Sequence, residues 1–161
     1  MFFSVKHDEI NYLTTGRRSV IDLNDDIDRI IARHGFLDGV IIIEALHTTA
    51  RVIKNENEPQ FHIDLFDELD RIAPPDGDYR HDQIGTLRTV NVCDDECANG
   101  WAHIQACRFP SSTSVSVRGG VAVRGKWDRV MLFEFDRARE RSVHFTLIGM
   151  SKKEIPPVSS S

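Results

Sequence analysis

The spacing of apolar and polar positions changes several times along the chain. Residues 4–13 mix the two in a way that suits an opening strand. Leu23, Ile27, Ile30, Ile31 and His34 then recur at helical spacing, with Asp22 or Asn24 placed to cap the start and Gly35 and Gly39 bracketing the end. Residues 40–46 (VIIIEAL) are a β-branched apolar run of strand length. Phe61, Leu65, Leu69 and Ile72 return to spacings of three and four, which predicts a second helix stopping before Pro74-Pro75. A long loop is expected over 76–91. Ala98, Ala102 and Ala106 predict a third helix within 97–107, packed closely on a sheet. After Pro110 the pattern becomes that of short strands, over 113–117, 121–124, 130–136 and 142–148, with Gly119-Gly120 as a hairpin turn. Helices early and an antiparallel meander late predict an α+β fold with about three helices, rather than a doubly wound sheet.

At 161 residues one domain is expected, spanning 1–154, with 155–161 (two prolines, three serines) as a flexible tail. A net charge of −5 argues against a nucleic-acid partner, because phosphate backbones are met by a basic surplus. No window approaches the run of about 18 apolar residues that a membrane span needs. Met1-Phe2-Phe3 opens no leader segment, so a soluble, cytoplasmic protein is expected. Cys93, Cys97 and Cys107 are an odd set without CxxC spacing, read as reduced thiols rather than a zinc or redox site.

Chemistry concentrates in four places. His47-Thr48-Thr49 stands where the apolar strand stops, and a strand end delivers a polar group rigidly to a cleft. Asn55-Glu56 lies just beyond. Tyr79-Arg80-His81-Asp82 falls in the long loop, and Asn99 and His103 are four apart on one helix face. Three histidines on three elements match a catalytic metal with an open fourth position, and Glu56 or Asp82 suits orienting an imidazole or moving a proton. The competing reading of each histidine is a surface or structural hydrogen bonder. Glu134, Asp136, Arg139 and Arg141 surround a turn, as a surface ion-pair network or as an anion clamp. There is neither a P-loop nor a dinucleotide fingerprint.

Taken in order, these pieces resemble the YjbQ-like family, whose members are labelled secondary thiamine-phosphate synthase enzymes. The resemblance rests on HTTARVIKNENE (47–58), Asp64, Pro74, YRHD (79–82), NGWAH (99–103), the Gly120 hairpin, GKW (125–127), EFDRARER (134–141) and Gly149, so it covers roughly 40–149. It implies a largely antiparallel β-sandwich subunit in a homotrimer, with a polar pocket around His47, His81 and His103 near the subunit interfaces. It also implies joining a pyrimidine diphosphate to a thiazole phosphate. Where the family has threonine-tryptophan-glutamine this chain has Lys126-Trp127-Asp128, and Ser116 replaces a strand proline. If Asp128 faced the pocket it would change its charge by one unit.

The first reading is therefore an enzyme acting on a phosphorylated small molecule. In it His47, His81 and His103 hold a divalent metal (zinc or magnesium), Glu56 and Asp82 handle protons, and Thr48, Asn55, Asn99, Ser112 and Arg139 contact substrate. The second is a non-catalytic metal- or metabolite-binding homotrimer, and the third makes the histidines interface hydrogen bonders.

Overall fold

The structure, a computed structural model, describes residues 1–93 and 97–152. The expected tail at 155–161 and the acidic stretch 94–96 lie outside the described residues. In chain order the elements are β1 (Phe2–Leu13), β2 (Val20–Asp22), α1 (Asn24–Arg33), β3 (Phe36–Ala45), β4 (Ala50–Glu56) and α2 (Pro59–Ile72). After a single 3₁₀ turn at Arg80–Asp82 come α3 (Gly100–Ala106), β5 (Ser112–Arg118), β6 (Val121–Ala122), β7 (Asp128–Glu134) and β8 (Glu140–Ser151).

The strands form two antiparallel sheets, of order β1-β8-β3-β5-β6 and β2-β7-β4. One core fills the space between them, built from Ile41, Ile43, Val52, Val115, Leu132, Val143, Phe145 and Leu147, with Leu23 at the head of α1 and Ile27, Ile30 and Ile31 within it. A second core lies on the other side of the smaller sheet, where α2 and α3 bring Phe66, Leu69, Trp101 and Ala102 against Met131, Phe133 and Phe135. Strand β7 is thus the middle of the molecule. Val130 and Leu132 point into one core and Met131 and Phe133 into the other, which is why its apolar run does not alternate. The fold is α+β, as the patterning indicated.

Local chemistry sets the element ends. At α1, Asp22 Oδ1 accepts the Asn24 backbone N–H at 2.9 Å. Glu58 caps α2 by accepting from the N–H groups of Gln60 and Phe61, with Pro59 in the first turn, where its missing N–H costs nothing. The β5–β6 hairpin turns on Gly119 and Gly120, whose φ values of 59° and 81° are both positive, as a type I′ turn requires.

Two expectations change. The late strands are not a meander: β7 and β8, adjacent in sequence, enter different sheets, and β8 is inserted between β1 and β3. Both pairing edges of β7 are taken by β2 and β4, so β8 cannot pair with it and joins the larger sheet. The segment after His47, to which the patterning assigned no element, is also a strand, β4. Its alternation is short and ends in Lys54-Asn55-Glu56, which obscured it. No helix among the described residues is long and apolar enough to cross a membrane.

Candidate functional site

A cavity of about 520 Å³ opens where the β3–β4 connection, the loop before α3 and the β7–β8 turn meet. Its wall includes His47, His81 and His103, so the structure brings the three expected histidines to one place. Thr48, Asn99 and Arg139, also expected, line it with them.

Each is held by an identifiable device. His47 follows β3, and its Nε2 accepts the backbone N–H of Ser142 on β8 at 2.8 Å. Burial, and then the charge on Arg141, push the His47 imidazole below its ordinary pKa, which favours the neutral ring. His81 sits in the 3₁₀ turn, which is tied to α3 because Asp82 Oδ1 accepts the N–H groups of Asn99 and Gly100 at 2.9 and 2.8 Å. Gly100 permits this approach: a Cβ there would stand 2.7 Å from Tyr79 Cβ. The docking brings the His81 and His103 rings to 4.6 Å between centroids.

Beneath the cavity lies a buried charged network. Arg141 Nε and Nη2 donate to the two oxygens of Glu134 at 2.5 and 2.6 Å, and Nη2 also reaches Thr49 Oγ1 at 3.0 Å. Glu134 is fully buried and further accepts from Asp136 N–H and Thr14 Oγ1. The turn is therefore not a surface ion-pair network as far as Glu134 and Arg141 are concerned. Asp136 accepts from Asn99 Nδ2 at 3.2 Å and pairs with Arg139 at 3.5 Å, which aims Arg139 along the cavity wall. Asn99 Oδ1 is buried with no partner among the described residues.

Sequence reasoning missed Arg88 and Asn91. Arg88 lies in a stretch read only as loop, without periodicity to mark it, yet its Nη1 donates to His81 Nε2 at 2.9 Å and its Nη2 to the Asn91 carbonyl at 2.5 Å. Other expected residues are elsewhere. Glu56 lines a separate cavity with Lys126, Trp127 and Arg129, because the length of β4 carries it about 20 Å along the strand from Ala50. Asn55 stands opposite Arg129 at the same end. Asp128 pairs with Lys54 there at 3.5 Å, so the Lys126-Trp127-Asp128 departure does not touch the histidine pocket. Ser112 stands opposite Glu44 on the larger sheet and does not line the pocket. Asp82 lies beside the site, with one oxygen committed to the start of α3.

The expected zinc or magnesium ion needs ring lone pairs. A metal-ligating imidazole gives one nitrogen to the metal and donates its other N–H to a protein acceptor. His47 and His81 have the opposite polarity, since Nε2 of each receives a proton donor: a backbone N–H in one case, a guanidinium in the other. Among the described residues no three His, Cys, Asp or Glu side chains gather closely enough to share a metal. As hydrogen-bonded here, the donor set does not fit the ion.

The family model described as "UPF0047 protein YjbQ-like" matches residues 8–150. A UPF0047 protein of Archaeoglobus fulgidus is 27% identical over 135 residues, covering 84% of this chain and 95% of that protein. The Bacillus subtilis UPF0047 protein YugU is 26% identical over 137 residues, covering 84% and 94%. Among solved structures, a YbjQ-like protein of unknown function from Sulfolobus solfataricus superposes with a TM-score of 0.80 at 26% identity, over 92% of this chain and all of that one. A YjbQ/UPF0047 protein of Clostridium acetobutylicum gives 0.73 at 28% identity, over 88% and 98%. With the family model spanning nearly the whole described chain and the fold shared throughout, this protein belongs to the YjbQ-like UPF0047 family.

Proposed function

We propose that the histidine-lined cavity binds a phosphorylated small molecule and acts on it as an enzyme. The observation that supports this most is the gathering of Arg88, Arg139 and three imidazoles around one cavity in a chain of net charge −5. Guanidinium groups hold phosphate oxygens through paired, charge-assisted hydrogen bonds. Stabilising the charge that develops as a phosphate or pyrophosphate leaves is the chemistry such a wall supplies. Joining of a pyrimidine diphosphate to a thiazole phosphate is the first reaction to assay, because it releases such an anion.

A second reading, a non-catalytic metabolite-binding protein, is favoured by one specific observation. Neither carboxylate assigned to proton handling is free in the pocket: Glu56 lines the other cavity and Asp82 caps α3. In the enzyme reading the histidines themselves must then carry protons.

A homotrimer is part of the proposal. The face of the larger sheet turned away from both cores carries Val5, Ile148 and Val40 in one cross-strand row, and Ile42 beside it. Such a row suits burial by another copy. Three thiols, none of them in a disulfide, suit the cytoplasm.

Calorimetry and a product assay with the two phosphorylated substrates test the function. Arg139→Met is expected to weaken binding about tenfold, which corresponds to about 1.4 kcal/mol. Saturable binding without product selects the binding reading, and no binding overturns both.

A further inference from the structure

We infer that the pocket grips its anionic group directly, without a bridging metal, through ring N–H groups of His47 and His81 beside the arginines. This rests on the phosphorylated-ligand reading above and deepens it.

A neutral imidazole has one lone pair and one N–H. At His47 the lone pair is Nε2, because the group facing it at 2.8 Å is the Ser142 backbone N–H, which only donates. At His81 it is again Nε2, because the Arg88 guanidinium at 2.9 Å has no acceptor to offer. Both rings are therefore Nδ1–H tautomers. The partners come from different elements, one from the start of β8 and one from the loop before α3, and they impose the same polarity on two rings of one wall. Neither ring can give Nδ1 to a metal while these bonds persist, short of becoming an imidazolate. What both rings can do is donate.

The arginines of the wall have the same sign. Arg139 is held by Asp136 at 3.5 Å with its side chain about one-third exposed, and Arg88 adds a second guanidinium. An oxyanion accepts from every one of these groups, whereas a cation meets mostly donors and positive charge. The ligand class is thus a phosphate or pyrophosphate group whose oxygens carry no obligatory divalent ion. Arg88 and Ser142 serve as positioning groups, acting through the tautomers they impose.

The first measurement is a long-range proton–nitrogen NMR correlation of the histidine rings in the full chain, assigned with His47→Gln and His81→Gln. Both rings are expected as Nδ1–H, and an Nε2–H tautomer at either overturns the inference. Arg88→Met is expected to release the bias at His81 alone, a readout that purely structural damage would not produce. The second arm titrates inorganic pyrophosphate into protein stripped with EDTA and into protein as purified, both in metal-free buffer. The two Kd values are expected to agree within about threefold. Binding that disappears on stripping and returns with zinc or magnesium overturns the metal-free grip but leaves the phosphorylated-ligand reading standing. Absence of binding in every sample overturns both.

Discussion

Arg141 shows how a single side chain is committed to the site's floor rather than its surface. It is 2% exposed, and its partner Glu134 is fully buried, so the two charges depend on each other. Removing one member of a buried pair leaves an uncompensated charge, which costs about 3–5 kcal/mol, whereas replacing both by apolar groups is often close to neutral. Arg141→Leu is accordingly expected to lose about 3–5 kcal/mol in urea unfolding, with much of that recovered in the Arg141→Leu, Glu134→Leu double variant. A loss below about 1 kcal/mol in the single variant would mean that Glu134 finds other compensation. The sequence made Arg141 visible as one of four charges around a turn. It singled out Arg139 as a substrate contact but gave no sign that Arg141 is buried, because burial depends on how β7 and β8 diverge into separate sheets.

Among the elements, the short helix α3 and the 3₁₀ turn before it act as one unit. The Asp82 carboxylate joins them by accepting two backbone N–H groups, and the same contact holds His81 against His103. If this cap is the role of Asp82, its acceptor oxygen matters and its charge matters little. Asp82→Asn keeps the acceptor, so it is expected to retain stability and pyrophosphate affinity within about twofold. Asp82→Ala should lose about 1 kcal/mol and weaken the ligand together with the disturbed rings. If turnover were abolished in Asp82→Asn with the fold and affinity unchanged, Asp82 would be a proton carrier. Calorimetry, denaturation and the product assay on the two variants decide between these. Helical spacing had revealed Asn99 and His103 as neighbours, but α3 is shorter than the alanine pattern suggested. It begins at Gly100, where Tyr79 packs and the two N–H groups turn toward Asp82.

For the whole molecule, assembly is the property left to test. The homotrimer implied by the family resemblance, with the apolar row on the larger sheet as its proposed contact, predicts that the wild type sediments as three copies at micromolar concentration, and that Ile42→Lys sediments as one with unchanged circular dichroism. A monomeric wild type would remove the trimer from the proposal. Much of the protein was readable along the chain. Amphipathic periods found all three helices, β-branched runs found most strands, and the Gly-Gly pair found the β5–β6 hairpin, because each depends on neighbours within a few residues. The three histidines were also legible, from their short motifs. What local pattern could not supply was the distribution of strands between two sheets, and with it the site. His47 and Glu56 are nine positions apart in sequence, yet β4 sends them to different cavities, while Arg88 reaches His81 across a loop that has no period. Ring polarity lies further still from the sequence: it is set by a donor from β8 at one histidine and by a guanidinium at the other, and neither exists until distant segments pack.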